Sequence, residues 1–254
     1  SLLEASVIQW QWKEDVFPEC DQFNGIHEGL VQSWKDIFPK KGEIHFAGAL
    51  ENNEDTGTLQ YLASAAMEAG FSTRVLDMQA LDLQNGRFFD PAGELVNRCF
   101  KLYPWEWMVD ESPDGCLAEM EWLEPIWKLV MSNKAILATL YELFPDSPYV
   151  LPCYLSRPRS GVFCKKPIFS REGHNVSVVD IRDWEEYVRI AETEGDYNTG
   201  AYVYQEYVEP TAYSGRYPVI GSWIIGGEAA GIGIRENRME VTDNLSEFVP
   251  HIIG

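Results

Sequence analysis

Apolar side chains recur at helical spacing from Leu2 to Trp12, and again from Asn24 or Gly25 to Ile37, where Phe38-Pro39-Lys40-Lys41-Gly42 breaks the pattern. Two helices are expected there. Ser1 sits where an N-cap would, with Glu4 as its capping-box partner, and the abrupt opening predicts a piece of something longer. The run Glu43-Ile44-His45-Phe46-Ala47-Gly48-Ala49-Leu50 reads as a buried strand. An acidic loop, Glu51 to Asp55, a Thr56-Gly57-Thr58 turn and a helix from Leu59 to Ala69 follow. Gly70 closes that helix and Ser72 to Met78 forms the next strand, which makes a βαβ unit with a parallel pair. A short hairpin is expected from Arg87 to Leu95 around Pro91-Ala92-Gly93, then a strand from Val96 to Tyr103. From Cys116 to Leu143 the pattern is helical, with Pro125 near one helix start and Asn133-Lys134 opening a later one.

In the second half, one strand delivers Lys165-Lys166-Pro167, the polar loop Ser170-Arg171-Glu172-Gly173-His174-Asn175 follows, and Val176 to Val179 returns as a second strand. A helix is expected from Asp183 to Thr193, and a strand with a polar exit from Ala201 to Pro210. Two apolar runs, Val219 to Ile225 and Ala229 to Ile234, flank Gly226-Gly227-Glu228 and read as a hairpin closed by Arg235 and Glu236. Its interior glycines, Gly221, Gly231 and Gly233, clear space for a ligand or for neighbouring backbone; a fold requirement is the commoner reason for such glycines.

A chain of 254 residues can bury a sizeable core in one or two domains. The formal charge of −20 argues against a nucleic-acid backbone or an anionic membrane as partner and favours a cationic ligand. Much of that charge also serves solubility. Five cysteines, with neither a CxxC pair nor histidines at zinc spacing, are read as reduced structural thiols of a cytoplasmic protein. No apolar run reaches the roughly 20 residues of a membrane span.

Several segments carry candidate chemistry. Glu54 and Asp55 follow the carboxyl end of the first strand, where open α/β sheets bind ligands, so they are candidates for an ammonium group; the alternative is that they complement the dipole of the next helix. Lys134 opens a helix, where a cation is disfavoured unless an anion lies near, although a solvated lysine is the default. Lys166 and the Ser170 to Asn175 loop have the make-up of a mobile phosphate cover: cationic heads, backbone N–H groups and a glycine for close approach. The strand ending Gln205-Glu206-Tyr207-Val208 could pair its backbone with a flat ring while a glutamate takes a hydroxyl.

Taken in order, Lys-Lys-Pro, Ser-Arg-Glu-Gly-His-Asn-Val, Gln-Glu-Tyr-Val and Gly-Ser-Trp-Ile-Ile-Gly-Gly-Glu-Ala-Ala-Gly-Ile-Gly-Ile-Arg-Glu resemble the synthetase domain of the glutathionylspermidine synthase family, an ATP-grasp fold. Asp21 to Glu28, Glu51 to Asp55 and Phe100 to Trp107 resemble it too, so the likeness covers nearly the whole chain. The fold class implied is α+β or α/β: an ATP-grasp region preceded by a βαβ-type substrate-binding subdomain. Its boundaries would be 1–120 for the helices and substrate-binding subdomain and 121–254 for the ATP-grasp region. Within the latter, the lid subdomain would cover about 134–204, the hinge 205–208 and the glycine-rich hairpin 219–236.

The resemblance implies a ligase that activates a carboxylate with ATP and Mg2+ as an acyl phosphate and passes it to an amine, glutathione and spermidine being the founding pair. By motif, Lys134 and Lys166 would contact ATP phosphates, Ser170, Arg171, Glu172 and Gly173 would lie in the lid loop, and Gln205, Glu206, Tyr207 and Val208 would form the adenine hinge. Arg235 would stabilise the transferring phosphoryl group, and Glu54 with Asp55 would face the amine. Family members carry their magnesium ligands on a strand just upstream of this chain's start, so those ligands are expected to be missing, and the piece alone to bind ATP poorly and be inactive. An amidase domain, which some members carry, is not visible. The competing reading is an inert ATP-grasp relative that binds nucleotide or a partner protein.

Overall fold

The computed structural model describes residues 1–183, 186–197, 200–239, 241 and 246–254. It divides into two units, one of Ser1–Trp127, Ile220–Ile234 and Phe248–Gly254, the other of Lys128–Val219 and Arg235–Glu247.

The first unit opens in a wide helical turn, Glu4–Ile8, that runs into α1 (Gln9–Val16). The capping box forms: the Glu4 amide donates to Ser1 Oγ at 3.4 Å and the Ser1 amine reaches the Glu4 carboxylate. α2 (Ile26–Ile37) buries Ile26, Val31 and Trp34 on one face. β1 (Glu43–Gly48) leads into α3 (Asn53–Glu68), which starts six residues before the predicted Leu59. The reason is an N-cap. The Asn52 side-chain oxygen accepts from the amides of Glu54 at 2.8 Å and Asp55 at 3.3 Å, which draws the acidic stretch and the supposed Thr56-Gly57-Thr58 turn into the helix. Gly70, at φ +96°, ends the excursion as expected, and β2 (Ser72–Asp77) pairs parallel to β1, Glu43 opposite Ser72.

A three-stranded meander follows: β3 (Asp82–Gln84), β4 (Arg87–Phe89) and β5 (Leu95–Val96). The chain returns to the main sheet as β6 (Arg98–Leu102), then forms α4 (Trp105–Glu111), α5 (Pro113–Cys116) and β7 (Glu121–Leu123). The helical reading from Cys116 onward is therefore wrong at residues 121–123. Pairing with β6, Cys99 opposite Trp122, makes them a parallel strand that three residues of pattern are too few to announce. The sheet order is β2-β1-β6-β7.

Both faces of this sheet are covered, as parallel sheets require. On one, Ile44 and Phe46 pack against Trp34 of α2 and against Leu59, Leu62, Ala65 and Ala66 of α3. On the other, the Trp122 ring meets Phe88 and Trp105 edge-on. Arg74 fastens the meander to the sheet by donating to Glu43 at 2.8 Å, to Asp90 at 2.6 Å and to Glu94. Asp90 also accepts from the Ala92 and Glu94 amides; the Glu94 amide, ahead of Ala92 and Arg74, holds its carboxyl below the usual range.

The second unit starts with α6 (Leu129–Ser132) and α7 (Ala135–Leu143) and continues through β8 (Cys153–Tyr154), β9 (Gly161–Pro167), β10 (Ser177–Ile181), β11 (Tyr187–Glu192) and β12 (Tyr202–Glu206). These strands form an antiparallel sheet in the order β11-β10-β9-β12-β8. The helix expected from Asp183 to Thr193 is instead β11, with Trp184 and Glu185 outside the described residues. Pairing to β10 overrides whatever helical spacing the segment carries. Period-two alternation splits the faces of β9. Val203, opposite Lys166, packs with Cys153 and Ala138 of α7, whereas Phe163 packs with Val179, Ile181 and Tyr204 on the other face.

The remaining strands, β13 (Tyr217–Ile225), β14 (Glu228–Asn237) and β15 (Glu247–Val249), form a sheet in that order. The hairpin is as predicted, and Gly226 and Gly227, at φ +60° and +88°, supply the two left-handed residues of a tight turn whose twist suits antiparallel strands. A Cβ on Gly231 would lie 3.0 Å from Ile26 Cγ1 and 3.1 Å from the Phe23 carbonyl oxygen. That glycine thus serves close packing on the start of α2.

Candidate active site

In the second unit the structure brings predicted residues together in two pairs. Lys134 directly precedes α7; its amide donates to the Ile168 carbonyl at 2.8 Å and its ammonium to the Ser170 carbonyl and to Ser170 Oγ, the latter at 2.9 Å. A lysine at this helix end is thereby turned onto the loop that follows β9. Lys166, near the end of β9, donates to Gln205 Oε1 on β12 at 2.7 Å, a diagonal contact between adjacent strands. Cys153 lies close enough for the Lys166 charge to act on it, yet burial dominates and pushes the Cys153 thiol up.

Left-handed backbone at Glu172, Gly173 and Asn175, φ +56°, +73° and +54°, folds the Ser170 to Asn175 loop tightly. Asn175 anchors it: its side-chain nitrogen donates to the Gly195 carbonyl at 2.8 Å and its oxygen accepts from the Tyr197 amide at 2.7 Å. Thr193 Oγ1 also donates to the Gly173 carbonyl. Arg171 and Glu172 lie between the loop's contact to Lys134 and this anchor. At the other end of β12, the Glu206 and Tyr207 amides donate to the Pro152 and Val162 carbonyls at 2.8 and 3.0 Å, and exposed Val208 follows. The N–H groups of Glu206 and Tyr207 are thus engaged within the unit.

Arg235 is half-buried in β14, in the part of that strand belonging to the second unit. Glu54 and Asp55 belong to the first unit, just beyond the carboxyl end of β1, in the first turn of α3. There they complement the positive end of the helix dipole, the alternative the sequence left open, while the Glu54 side chain is exposed to solvent.

Sequence reasoning passed over two buried groups of the first unit. Lys101 on β6 is almost wholly buried; its ammonium sits 4.0 Å above the Trp105 ring and donates to the Tyr103 carbonyl at 2.8 Å. Burial pulls its pKa down from 10.5 to about 8, Glu124 opposing the shift. A lysine inside Cys99-Phe100-Lys101-Leu102, a strand that neighbours cover on both sides, was the available signal. His45, on β1, is the other. Neighbouring Cys99 is pushed up to about 12 by burial, as befits an unreactive structural thiol. All five cysteines are free. Among the described residues, no helix is long and apolar enough to cross a membrane.

Among the described residues no cluster of three or more His, Cys, Asp or Glu side chains is placed to hold a metal ion. The Lys166 ammonium rests on a neutral oxygen, Gln205 Oε1, an acceptor that an anion's oxygen can replace.

A parallel sheet flanked by helices, joined in one chain to an antiparallel sheet that carries paired lysines and a tight loop, is an α/β architecture of the ATP-grasp type. Among solved structures, a Methylobacillus flagellatus protein provisionally named γ-glutamylcysteine synthetase shares this fold at a TM-score of 0.57 and 10% identity, over 90% of this chain and 75% of that one. The chain belongs to the glutathionylspermidine synthase family, whose preATP-grasp description matches residues 1–254.

A Haemophilus influenzae protein provisionally named acid–amine ligase is 36% identical over 265 residues, covering 99% of this chain and 67% of that one. Trypanothione synthetase of Crithidia fasciculata is 28% identical over 281 residues, and the bifunctional glutathionylspermidine synthetase/amidase of Escherichia coli 26% over 283. The chain spans 42% and 45% of the length of those two relatives.

Proposed function

We propose that the chain belongs to an ATP-dependent carboxylate–amine ligase that joins a peptide carboxylate to a polyamine or another amine. The observation that carries this reading is the pairing of Lys134 with Ser170 and of Lys166 with Gln205, which ties both proposed phosphate-binding cations to the proposed lid and hinge. The names of the relatives, ligases and synthetases of acid and amine, support the same chemistry, with glutathione and spermidine as the pair to test first.

In this reading residues 1–120 bind the two substrates, residues 121–254 bind ATP, 134–204 act as lid subdomain, 205–208 as hinge and 219–236 as the glycine-rich hairpin. A carboxylate oxygen of the acid takes the γ-phosphoryl group and ADP leaves; the amine nitrogen then attacks the acyl carbon, loses a proton, and phosphate departs. Such transfer asks the protein mainly for positioning and fixed positive charge. Lys134 and Lys166 hold phosphate oxygens, Ser170, Arg171, Glu172 and Gly173 cover them, and Gln205 to Val208 hold the base. Arg235 meets the transferring group, and Glu54 and Asp55 receive the cationic amine. ATP is expected to act with magnesium, and the free thiols accord with a cytoplasmic enzyme.

The test is ADP release by the full-length protein against thiol peptides, short peptides and polyamines. ADP should form in step with an amide product found by mass spectrometry, and only when both an acid and an amine are supplied. Nucleotide binding with no turnover on any pair would instead identify an inert relative.

A further inference from the structure

At the amino-terminal ends of the parallel strands, away from the carboxyl ends where Glu54 and Asp55 lie, the first unit holds a cleft of about 770 Å³. None of the residues discussed above as ligase groups lines it. Its floor is β1, with Glu43 and His45, and its walls come from Lys41, Arg87, Arg98 and the stretch Glu119 to Glu121. We propose that this cleft is a second binding site, for a small zwitterion such as an α-amino acid or a dipeptide.

Three observations fix the chemistry. First, the cleft presents opposite charges side by side: Arg87 holds Glu119 through Nε at 3.0 Å and Nη2 at 2.9 Å, and Arg98 Nε holds Glu121 at 2.8 Å. A lone anion would displace a glutamate and leave it uncompensated, and a lone cation would do the same to an arginine. A ligand with both charges exchanges partners with neither left over.

Second, the wall is pre-organised, since the Arg98 guanidinium lies 4.3 Å over the Phe38 ring and donates through Nη1 to the Lys40 carbonyl at 3.1 Å. Little side-chain freedom remains to be lost on binding. Third, His45 is 2% exposed, yet neither ring nitrogen has a hydrogen-bond partner. Its Nε2 lies 3.8 Å from both the Glu43 and Asp90 carboxylates, too far for hydrogen bonds, in a polar surround that leaves the imidazole unsatisfied. An ammonium, amide or carboxylate group in the cleft supplies the missing partner. The volume is ample for a dipeptide.

The test reads His45 directly in this 254-residue chain. With four histidines in the sequence, 13C-histidine labelling gives a simple spectrum, assigned with His45→Gln or, if that variant does not fold, by elimination with His27→Gln, His174→Gln and His251→Gln. Glycylglycine should shift the His45 signal saturably, with N-acetylglycine and glycinamide, each bearing one of its charges, at least roughly tenfold weaker. Arg87→Gln and Arg98→Gln should each weaken the glycylglycine response roughly tenfold, and Glu54→Gln should leave it unchanged. An unmoved His45 signal, an equal response to N-acetylglycine, or loss of the response in Glu54→Gln would overturn the proposal. Ligase turnover is measured separately, so either reading can fail alone.

Discussion

Charge matters at Arg235 for the proposed ligase chemistry and at Lys101 for stability. A planar guanidinium can hold two oxygens of a transferring phosphoryl group, and fixed charge placed where negative charge develops is worth about 3–4 kcal/mol. Arg235→Ala in the full-length enzyme should therefore lower kcat by roughly a hundredfold to a thousandfold and leave the nucleotide KM within a few-fold; an unchanged kcat with a raised KM would make it a simple binding residue. Lys101 is a matter of stability. Its pKa is about 8 folded against 10.5 ordinarily, so between those values the unfolded chain binds more protons and this lysine's contribution to stability rises with pH. Below pH 8 both states are protonated and the cost of the buried ammonium is fully felt. In urea melts, the stability of Lys101→Met relative to wild type should fall by about 2 kcal/mol as pH rises from 8 to 10.5. A pH-independent difference would mean that the lysine titrates normally.

Elements were legible where period and punctuation agreed. The βαβ unit showed itself through an apolar strand, a helix closed by Gly70 and a second strand; the hairpin through two apolar runs about a glycine pair. Misreadings came where local signals conflicted with longer-range ones. Gly57 reads as a turn residue but lies within α3, where a Cβ would come 3.1 Å from Leu3, and Asn52 rather than the glycine sets the boundary. β11 has every residue exposed, so no buried face disciplines its pattern, and only its pairing partner reveals it as a strand. His45 and Lys101 escaped notice because burial on both sides of a parallel sheet depends on what covers it. Packing also decides the sign at Gly231. A β-branched residue there would gain up to about 1 kcal/mol of strand preference but collide with Ile26 and the Phe23 carbonyl. Gly231→Val should destabilise by roughly 2–3 kcal/mol in denaturant melts, whereas Gly221→Ala, whose nearest neighbour would be 3.6 Å away, should cost less than about 1 kcal/mol. Equal costs would show that packing on α2 is not the reason for Gly231.

At the scale of the whole chain, a formal charge of −20 sets a field that, in the proposed ligase, favours a cationic polyamine before any contact is made. Between low salt and about 0.5 M the KM for a polyamine substrate should rise roughly threefold to tenfold with kcat nearly constant, while a singly charged amine responds less. A flat KM would confine recognition to short-range contacts. A different kind of selectivity is written into β9. Lys165 and Lys166 are neighbours in the chain, yet one ammonium lies 3.9 Å over the Tyr202 ring and the other holds Gln205. Alternation along the strand makes them occupants of opposite faces. Matching these lysines between relatives by residue type alone, one place out of step, would exchange the lysine proposed to meet phosphate for one that sits on an aromatic ring, and a single-residue deletion before Lys165 would do the same to the protein.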